Sequence, residues 1–331
     1  MNRSGDHTSE KKTSLERDYQ ALVEGAGFRI LDDRAVIRMT GDDRVSFLHG
    51  MCSADVRGAE AGSVVPGLFL TEHAHVIGEF LLWVVEDALV LEMERTGWPR
   101  AHEHLERFLV ADDVEFEETS LGVLDVEGPG AAEAMGRAGI DEASVLKPWT
   151  CAKIPAGFVG SVPRLGAPAC SLIAERARLD ETAAALARKS ALAVSTDALE
   201  ALRVANGIAR AGVDTTEKTL ALEARLERAI SFSKGCYVGQ ETIERATARG
   251  ALKKRMFGLR LAGAVTLGTA LTLDGREVGR VTSSAVVPGM GALGLAILHH
   301  SAWTPGTTLA ARSDTGETLT ATVSELPFAR N

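Results

Sequence analysis

Cysteine is scarce in this chain of 331 residues, and the four that occur lie far apart. There is no C-x-x-C pair and no short Cys/His spacing, so the sequence encodes no local zinc site and no protein-ligated iron-sulfur cluster. Widely separated cysteines are typical of reduced thiols in a cytosolic protein, and we therefore expect a cytoplasmic location. The four are Cys52, Cys151, Cys170 and Cys236.

Long apolar runs and an excess of positive charge are also absent. Apolar stretches such as Phe80 to Val85 are too short to span a bilayer, and Met1 to Thr13 has no apolar signal-peptide core. The formal net charge is -9 at pH 7, which argues against a general affinity for nucleic acid or for an anionic membrane. The sequence therefore predicts neither a membrane anchor nor direct nucleic-acid binding.

One segment departs from this acidic balance. Between residues 234 and 260, seven basic and two acidic side chains give a local charge of +5. Such a segment attracts acidic groups, although a solvated surface is the usual role of a charge run. The basic residues are Lys234, Arg245, Arg249, Lys253, Lys254, Arg255 and Arg260.

The hydrophobic pattern predicts an α+β fold, because helices and strands mix without a regular βαβ rhythm. Short strands with glycine turns follow residue 250, and Asp274-Gly275 indicates a hairpin, so the C-terminal part is expected to be all-β. A first helix is expected from Ser14. We divide the chain into a disordered tail (1–13), a first α+β part (14–120), a second α+β domain (121–200), a return segment (201–250) and a C-terminal β-barrel (251–331).

The octapeptide from Lys234 to Glu241 is the most specific chemical signal, because its thiol stands between two glycines. The alternation in residues 229–233 predicts a strand and residues 240–249 predict a helix, so Cys236 is expected at a strand-to-helix corner. A helix N-terminus and the Lys234 cation would favour the thiolate there, which makes Cys236 and Lys234 the candidate catalytic residues. A buried structural cysteine is the alternative.

Two weaker patterns do not lead to a site. Gly128-Pro129-Gly130 opens a helix after a strand, but Glu133 stands where a nucleotide-binding loop would have its third glycine. His73 and His75 would share a face of a strand, yet no third ligand accompanies them. We therefore predict no nucleotide-binding loop and no metal site.

Further motifs accompany the octapeptide, and together they resemble one family. The chain from about residue 15 resembles the YgfZ branch of the GcvT-like folate-binding superfamily, most specifically in K-G-C-Y-V-G-Q-E. The other matching elements are Gly41-Asp42-Asp43 with Phe47-Leu48 and Asp55-Val56, Gly207-Ile208 with Arg210, Gly212 and Asp214, Leu222-Glu223-Ala224 with Leu226, and Val278 to Ser283.

This resemblance implies a mixed-sheet core around a central cavity for tetrahydrofolate or a one-carbon derivative, followed by a C-terminal β-barrel. It also implies a role in assembling or repairing iron-sulfur enzymes, including one that modifies tRNA, with such client or assembly proteins as partners. The alternative is a folate-dependent aminomethyltransferase or demethylase of the glycine cleavage T-protein type, which generally lacks a cysteine at the position of Cys236. A scaffold with a vestigial pocket is a third interpretation.

The resemblance also implies which residues contact folate. Glu223 is expected to accept N-H bonds from the 2-amino and N3-H edge of the pterin. Gln240, Glu241 and Arg245 are further candidates, and Arg245 would help the basic segment to hold the glutamate tail; a helix-surface pair between Glu241 and Arg245 is the alternative. Arg203 ranks last, with a buried ion pair to a carboxylate as its alternative.

Four positions depart from the family's pattern, and one of them is His75, which stands where the loop between two strands often has glycine. Ala209 and Ala221 stand where proline is usual, and Arg225 stands where glycine or a small residue is common. We expect two loosened loops and an altered ligand geometry near Glu223.

Overall fold

The computed structural model describes residues 4–85, 88–155, 157–249, 252–263, 265–312 and 318–329. Its helices are α1 Ser4–Glu24, α2 Arg44–Met51, α3 Trp98–Glu106, α4 Ala131–Arg137, α5 Arg176–Lys189, α6 Thr196–Ala205 and α7 Gln240–Arg249. Its first eleven strands are β1 Gly27–Leu31, β2 Arg34–Thr40, β3 Val64–Leu70, β4 Val76–Val85, β5 Ala88–Glu94, β6 Glu115–Glu118, β7 Gly122–Glu127, β8 Thr150–Ile154, β9 Gly157–Ser161, β10 Ala169–Ala174 and β11 Leu192–Ala193. The remaining strands are β12 Lys254–Leu261, β13 Ala270–Leu273, β14 Arg276–Val287, β15 Gly291–His299, β16 Thr308–Arg312 and β17 Thr318–Ser324.

The first sheet has five antiparallel strands in the order β3-β4-β5-β2-β6. Nearly every residue of β4 and β5 is buried, because both faces of the sheet are covered. Phe80 and Leu82 pack on one face with residues of α2 and α3. Leu81 and Trp83 pack on the other face against the second sheet. This two-sided burial explains why these strands read as continuous apolar runs.

The second sheet has six strands in the order β11-β1-β7-β10-β9-β8. Leu124 and Leu172 face α4 and α5 on its outer side. Val123 and Ile173, the sequence neighbours of Leu124 and Leu172, point to the opposite side and face the first sheet. Since side chains alternate along a strand, the next inward residue of β7 after Val123 is Asp125, a charge between the two sheets.

The C-terminal strands close into a barrel in the order β12-β15-β14-β13-β16-β17. Its interior is apolar, with Leu259, Leu271 and Ala296 fully buried. Asp274 and Gly275 join β13 to β14 with φ angles of 51° and 78°. Two consecutive positive φ angles are those of a type I′ hairpin, so the predicted turn is present. The predicted α+β fold with a C-terminal β-barrel is confirmed.

Two predicted local features differ from the structure. Helix α1 begins at Ser4 rather than Ser14, and Tyr19 and Leu22 in its C-terminal half anchor it to the core. The predicted strand over residues 229–233 is wrong, because a short 3-10 helix, Glu227–Ala229, is followed by irregular chain. The domain limits stay a prediction. Within the described residues, no helix is long and apolar enough to cross a membrane.

Candidate functional site

A cavity of about 340 Å³ lies between the two sheets, beside α6 and the loop of residues 208–211. Strands β1, β2, β4, β5 and β7 each contribute side chains to its wall. Trp149, Leu165, Leu199, Phe80 and Leu81 supply apolar surface. A pocket of this size with apolar walls and a few fixed polar groups is typical of a small-molecule site.

The cavity is also rich in charge, and its charges balance. Six arginines and six carboxylates line it, so the formal charge of the lining is zero. Recognition in this cavity therefore depends on which individual groups have hydrogen-bonding capacity to spare. The lining charges are Arg29, Arg34, Arg164, Arg203, Arg210 and Arg228, with Asp32, Asp33, Glu79, Glu94, Asp125 and Glu200.

An ionic cluster centred on Glu92 fixes one end of the cavity. The Glu92 carboxylate is fully buried and accepts hydrogen bonds from Arg34 Nε at 2.9 Å, Arg164 Nη1 at 2.6 Å and Trp83 Nε1 at 3.2 Å. Arg164 also pairs with Asp125 at 2.6 Å. Burial would raise the pKa of Glu92, but the two guanidinium groups lower it to about 2. The cluster forms a charged floor of the cavity, and its two arginines are already paired with carboxylates.

Glu79 and Glu94 retain capacity to bind a ligand. Glu79 Oε1 accepts a bond from Arg228 at 2.9 Å, and Glu94 Oε1 accepts one from Arg34 at 3.4 Å. Among the described residues, no hydrogen bond is made to the second oxygen of either carboxylate. Burial, only partly offset by Arg34, raises the pKa of Glu94. Both carboxylates can thus accept N-H groups from a bound molecule.

Arg203 lies in the cavity wall, but its donors are committed. Its guanidinium donates to both oxygens of Glu200, to Asp214 Oδ2 at 2.7 Å, to the Ile208 carbonyl at 2.5 Å and to Ser283 Oγ at 2.5 Å. Those five bonds match the five N-H groups of a guanidinium. Its predicted alternative, a buried ion pair with a carboxylate, is present in the structure.

The first six residues of the octapeptide lie in a surface loop, residues 231–239, which we call the thiol loop. Its last two residues begin α7. Lys234 anchors the thiol loop, because its buried ammonium donates to three main-chain carbonyls at the C-terminal end of α2 and just beyond. The acceptors are His49, Cys52 at 2.7 Å and Ala54 at 2.8 Å. The ammonium also lies 4.9 Å from the centre of the Tyr237 ring. An ammonium has three protons, and these three carbonyls accept all of them. Lys234 is therefore an anchor of this loop.

One glycine of the octapeptide is required by the close packing of the loop. Gly239 has a φ of 90°, and a Cβ there would come within 2.7 Å of the Thr71 carbonyl. At Gly235 a Cβ would meet nothing within 4 Å. The predicted close approach is therefore present at Gly239 alone.

Cys236 is exposed on the thiol loop and is not among the residues that line the cavity. The predicted helix begins at Gln240, four residues after the thiol. Lys234 points toward the carbonyls at the end of α2. Burial raises the pKa of the Cys52 thiol to about 11, and the Lys234 charge only partly opposes that shift. The predicted corner is thus a loop with an accessible thiol, and the predicted proximity of this sulfur to the cavity is not found.

The other predicted folate contacts also lie outside the cavity lining. Glu223 accepts a bond from its near neighbour Leu220 N at 3.2 Å, and burial raises its pKa. On α7, Gln240 donates to Glu244 at 2.6 Å. Arg245 donates to Glu241 at 2.5 Å, and both side chains are more than half exposed. The predicted helix-surface pair is therefore formed.

The cavity residues were missed by sequence reasoning, although a signal exists for some. Glu79 is the one charged residue of β4, and Glu92 and Glu94 are the two charged residues of the otherwise apolar β5; a carboxylate in a buried strand requires a partner. The partner Arg164 lies in a loop far along the chain, and no local pattern connects it to these strands.

The fold has counterparts in known proteins. Residues 254–329 match the family described as the glycine cleavage T-protein C-terminal barrel domain. The crystal structure of the glycine cleavage system aminomethyltransferase T from Bartonella henselae has a TM-score of 0.86 and 19% sequence identity, covering 95% of this chain and 89% of that chain. That likeness shows a shared fold.

Three relatives extend the comparison. A chloroplastic protein of Arabidopsis thaliana, provisionally named a transferase, is 27% identical over 304 residues, which are 88% of this chain and 68% of that protein. The tRNA-modifying protein YgfZ of Vibrio vulnificus is 29% identical over 247 residues, or 74% of this chain and 72% of that protein. The human mitochondrial iron-sulfur cluster assembly factor IBA57 is 37% identical over 87 residues, or 24% of this chain and 23% of that protein.

Proposed function

We propose that this chain, a YgfZ-type protein of the GcvT-like superfamily, binds tetrahydrofolate or a one-carbon derivative in the cavity between the sheets. We also propose that it assists the assembly or repair of iron-sulfur enzymes, including tRNA-modifying ones. The observation that carries the first part is the cavity lining, in which two carboxylates with spare oxygens lie among apolar walls.

The donor pattern of a pterin suits this lining. Its 2-amino group and N3-H form an edge of adjacent N-H donors, and a carboxylate accepts two such donors side by side. Glu79 and Glu94 each offer one carboxylate oxygen that accepts no hydrogen bond from the described residues. The flat ring would pack on Trp149 and Leu165. The cavity, at about 340 Å³, suits the ring system of the pterin. The glutamate tail would then lie toward the mouth of the cavity.

The second part of the proposal concerns the thiol loop. Cys236 is exposed, and Phe232 on the same loop is 57% exposed, so a thiol and an aromatic ring are presented together. An exposed aromatic residue is a common anchor for a protein partner. We therefore assign the thiol to contact with an iron-sulfur client or assembly protein, as the name of one relative, an iron-sulfur cluster assembly factor, suggests.

Tetrahydrofolate binding tests the first part. A ligand at a hundred times its Kd should add about 2.7 kcal/mol to the unfolding free energy. Glu94→Gln and Glu79→Gln should each raise the Kd about tenfold or more, because each loses a charge-assisted acceptor. Glu241→Gln, on the exposed face of α7, is the matched control and should bind normally. Wild-type protein that gains no stability from tetrahydrofolate would contradict the proposal.

Substitution of the thiol tests the second part. Cys236→Ser should abolish support of iron-sulfur enzyme activity in cells while leaving the Kd for tetrahydrofolate unchanged. Ser233→Ala, exposed on the same loop, is the control. Full activity with Cys236→Ser would remove the thiol from the function. Formation of methylenetetrahydrofolate from an aminomethyl-lipoyl donor would instead favour an aminomethyltransferase.

A further inference from the structure

Asp214 lies where the barrel meets the wall of the cavity. Its carboxylate is buried, and Oδ1 accepts hydrogen bonds from Thr282 Oγ1 at 2.6 Å and Ser283 Oγ at 2.7 Å, both on β14 of the barrel. One oxygen of Asp214 is therefore fixed entirely by the barrel.

The other oxygen of Asp214 is bonded to the cavity wall. Oδ2 accepts from Arg203 Nη1 at 2.7 Å and from the backbone N of Arg210 at 3.0 Å. Arg203 in turn holds the Ile208 carbonyl, and residues 208–211 line the cavity. The Asp214 carboxylate thus connects the barrel to α6 and to the loop that forms one side of the binding space, beside the direct bond from Arg203 to Ser283 Oγ.

A β-bulge makes this connection possible. In the pairing of β14 with β15, Val281 faces Ala296 and Ser283 faces Leu295, so Thr282 is the extra residue. Neighbouring side chains on a regular strand point to opposite faces, whereas a bulge re-aims one of them. Here Thr282 and Ser283, adjacent in sequence, both reach the same carboxylate oxygen.

We propose that Asp214 is a positioning residue that makes the shape of the cavity depend on the placement of the barrel. The barrel holds the carboxylate, the carboxylate holds the loop of residues 208–211, and the loop forms the wall against which the ligand binds. This inference rests on the proposed binding of tetrahydrofolate in that cavity. It assigns to the barrel a part in ligand affinity although none of the barrel residues that the structure describes lines the cavity.

The test removes the hydroxyl groups on the barrel side and substitutes neither Asp214 nor any residue of the cavity lining, although Ser283→Ala also removes one acceptor of Arg203. Thr282→Val with Ser283→Ala deletes both bonds to Oδ1. Ser284→Ala is the matched control, because its hydroxyl bonds to the Val265 carbonyl at 3.1 Å and not to Asp214. Two quantities are measured in each protein: the Kd for tetrahydrofolate, and the hydrogen-exchange rate of the backbone amides of residues 208–211 without ligand.

The double variant should raise the Kd about tenfold and speed the exchange of the Arg210 amide by a similar factor, while the control changes neither by more than about twofold. Unchanged exchange in the double variant would overturn the inference, and so would faster exchange with an unchanged Kd. If the double variant does not fold, Thr282→Val alone, which leaves the bond from Arg203 to Ser283 in place, is judged by the same two criteria. If the wild-type protein binds no tetrahydrofolate, the proposed function fails, and the exchange rates alone decide whether the barrel holds the loop.

Discussion

The cavity and the thiol loop are built in opposite ways. Charges in the cavity pair side chain to side chain, and the partners come from strands, a helix and loops far apart in the chain. The thiol loop is held mainly through backbone groups, by one ammonium on three carbonyls and by hydrogen bonds from Ser231 N to Ser53 O and from Val238 N to Gly50 O. This difference suggests two separable sites, one that binds a small molecule and one that meets a protein.

The largest expected effect concerns the cavity floor. Glu92→Gln should lower the unfolding free energy by about 3–5 kcal/mol, because two buried arginines lose their shared negative partner. The pKa of Glu92 is lowered to about 2, so its stabilising contribution is present above the ordinary value of 4.5 and is lost as the pH falls toward 2. Denaturant unfolding from pH 7 to pH 2 measures both. Equal stability of the two proteins at pH 7 would contradict the ionic account.

A somewhat smaller loss is expected at the anchor of the thiol loop. Lys234→Met should cost about 2–3 kcal/mol, because three carbonyls lose a charged donor. The Kd for tetrahydrofolate should not change, whereas alkylation of Cys236 should change in rate as the loop loosens. Lys218→Met, at an exposed lysine, is the control. If folate affinity falls together with loop stability, the two regions are not separable.

An effect of opposite sign is expected at Glu127, beyond the floor of the cavity on β7. Glu127 is buried, neither of its oxygens has a hydrogen-bond partner in the described structure, and burial raises its pKa well above the ordinary value. A raised pKa destabilises the folded state as the pH increases above 4.5. Glu127→Gln should therefore raise the denaturation midpoint at pH 8 and leave it nearly unchanged at pH 4. A lower midpoint at pH 8 would show that the ionised carboxylate is stabilised.

The smallest effect is expected on α7. Arg245→Ala should change the unfolding free energy by only about 0.3–0.5 kcal/mol, since the Glu241–Arg245 pair is exposed to solvent. The Kd for tetrahydrofolate should also be unchanged, because neither residue lines the cavity. A tenfold weaker affinity would restore Arg245 as a folate contact and place the ligand's tail on this helix.

The sequence predicted features that depend on short-range patterns. The helix over residues 240–249, the hairpin at Asp274-Gly275 and the all-β C-terminal part follow from periodicity and turn chemistry, and each is present. The octapeptide also identified the family. What it could not show is the direction in which Lys234 points, because its three acceptors lie about 180 residues earlier in the chain.

The sequence could not predict the cavity for the same reason. Its wall combines residues from 29 to 228, and Arg164 finds Glu92 and Asp125 only after both sheets have formed. The structure also explains why a small residue is common in the family at the position where this chain has Arg225. Arg225 has a φ of 56°, a left-handed conformation that favours glycine, and its guanidinium lies 5.3 Å from the centre of the Phe257 ring.

The equal number of positive and negative groups around the cavity has a kinetic consequence. A lining with no net charge produces little field beyond its own mouth, so it cannot draw an anionic molecule from a distance. Any effect of salt on the speed of encounter should then come from the net charge of -9 on the whole chain, and selectivity should arise only after contact, when individual donors and acceptors are matched.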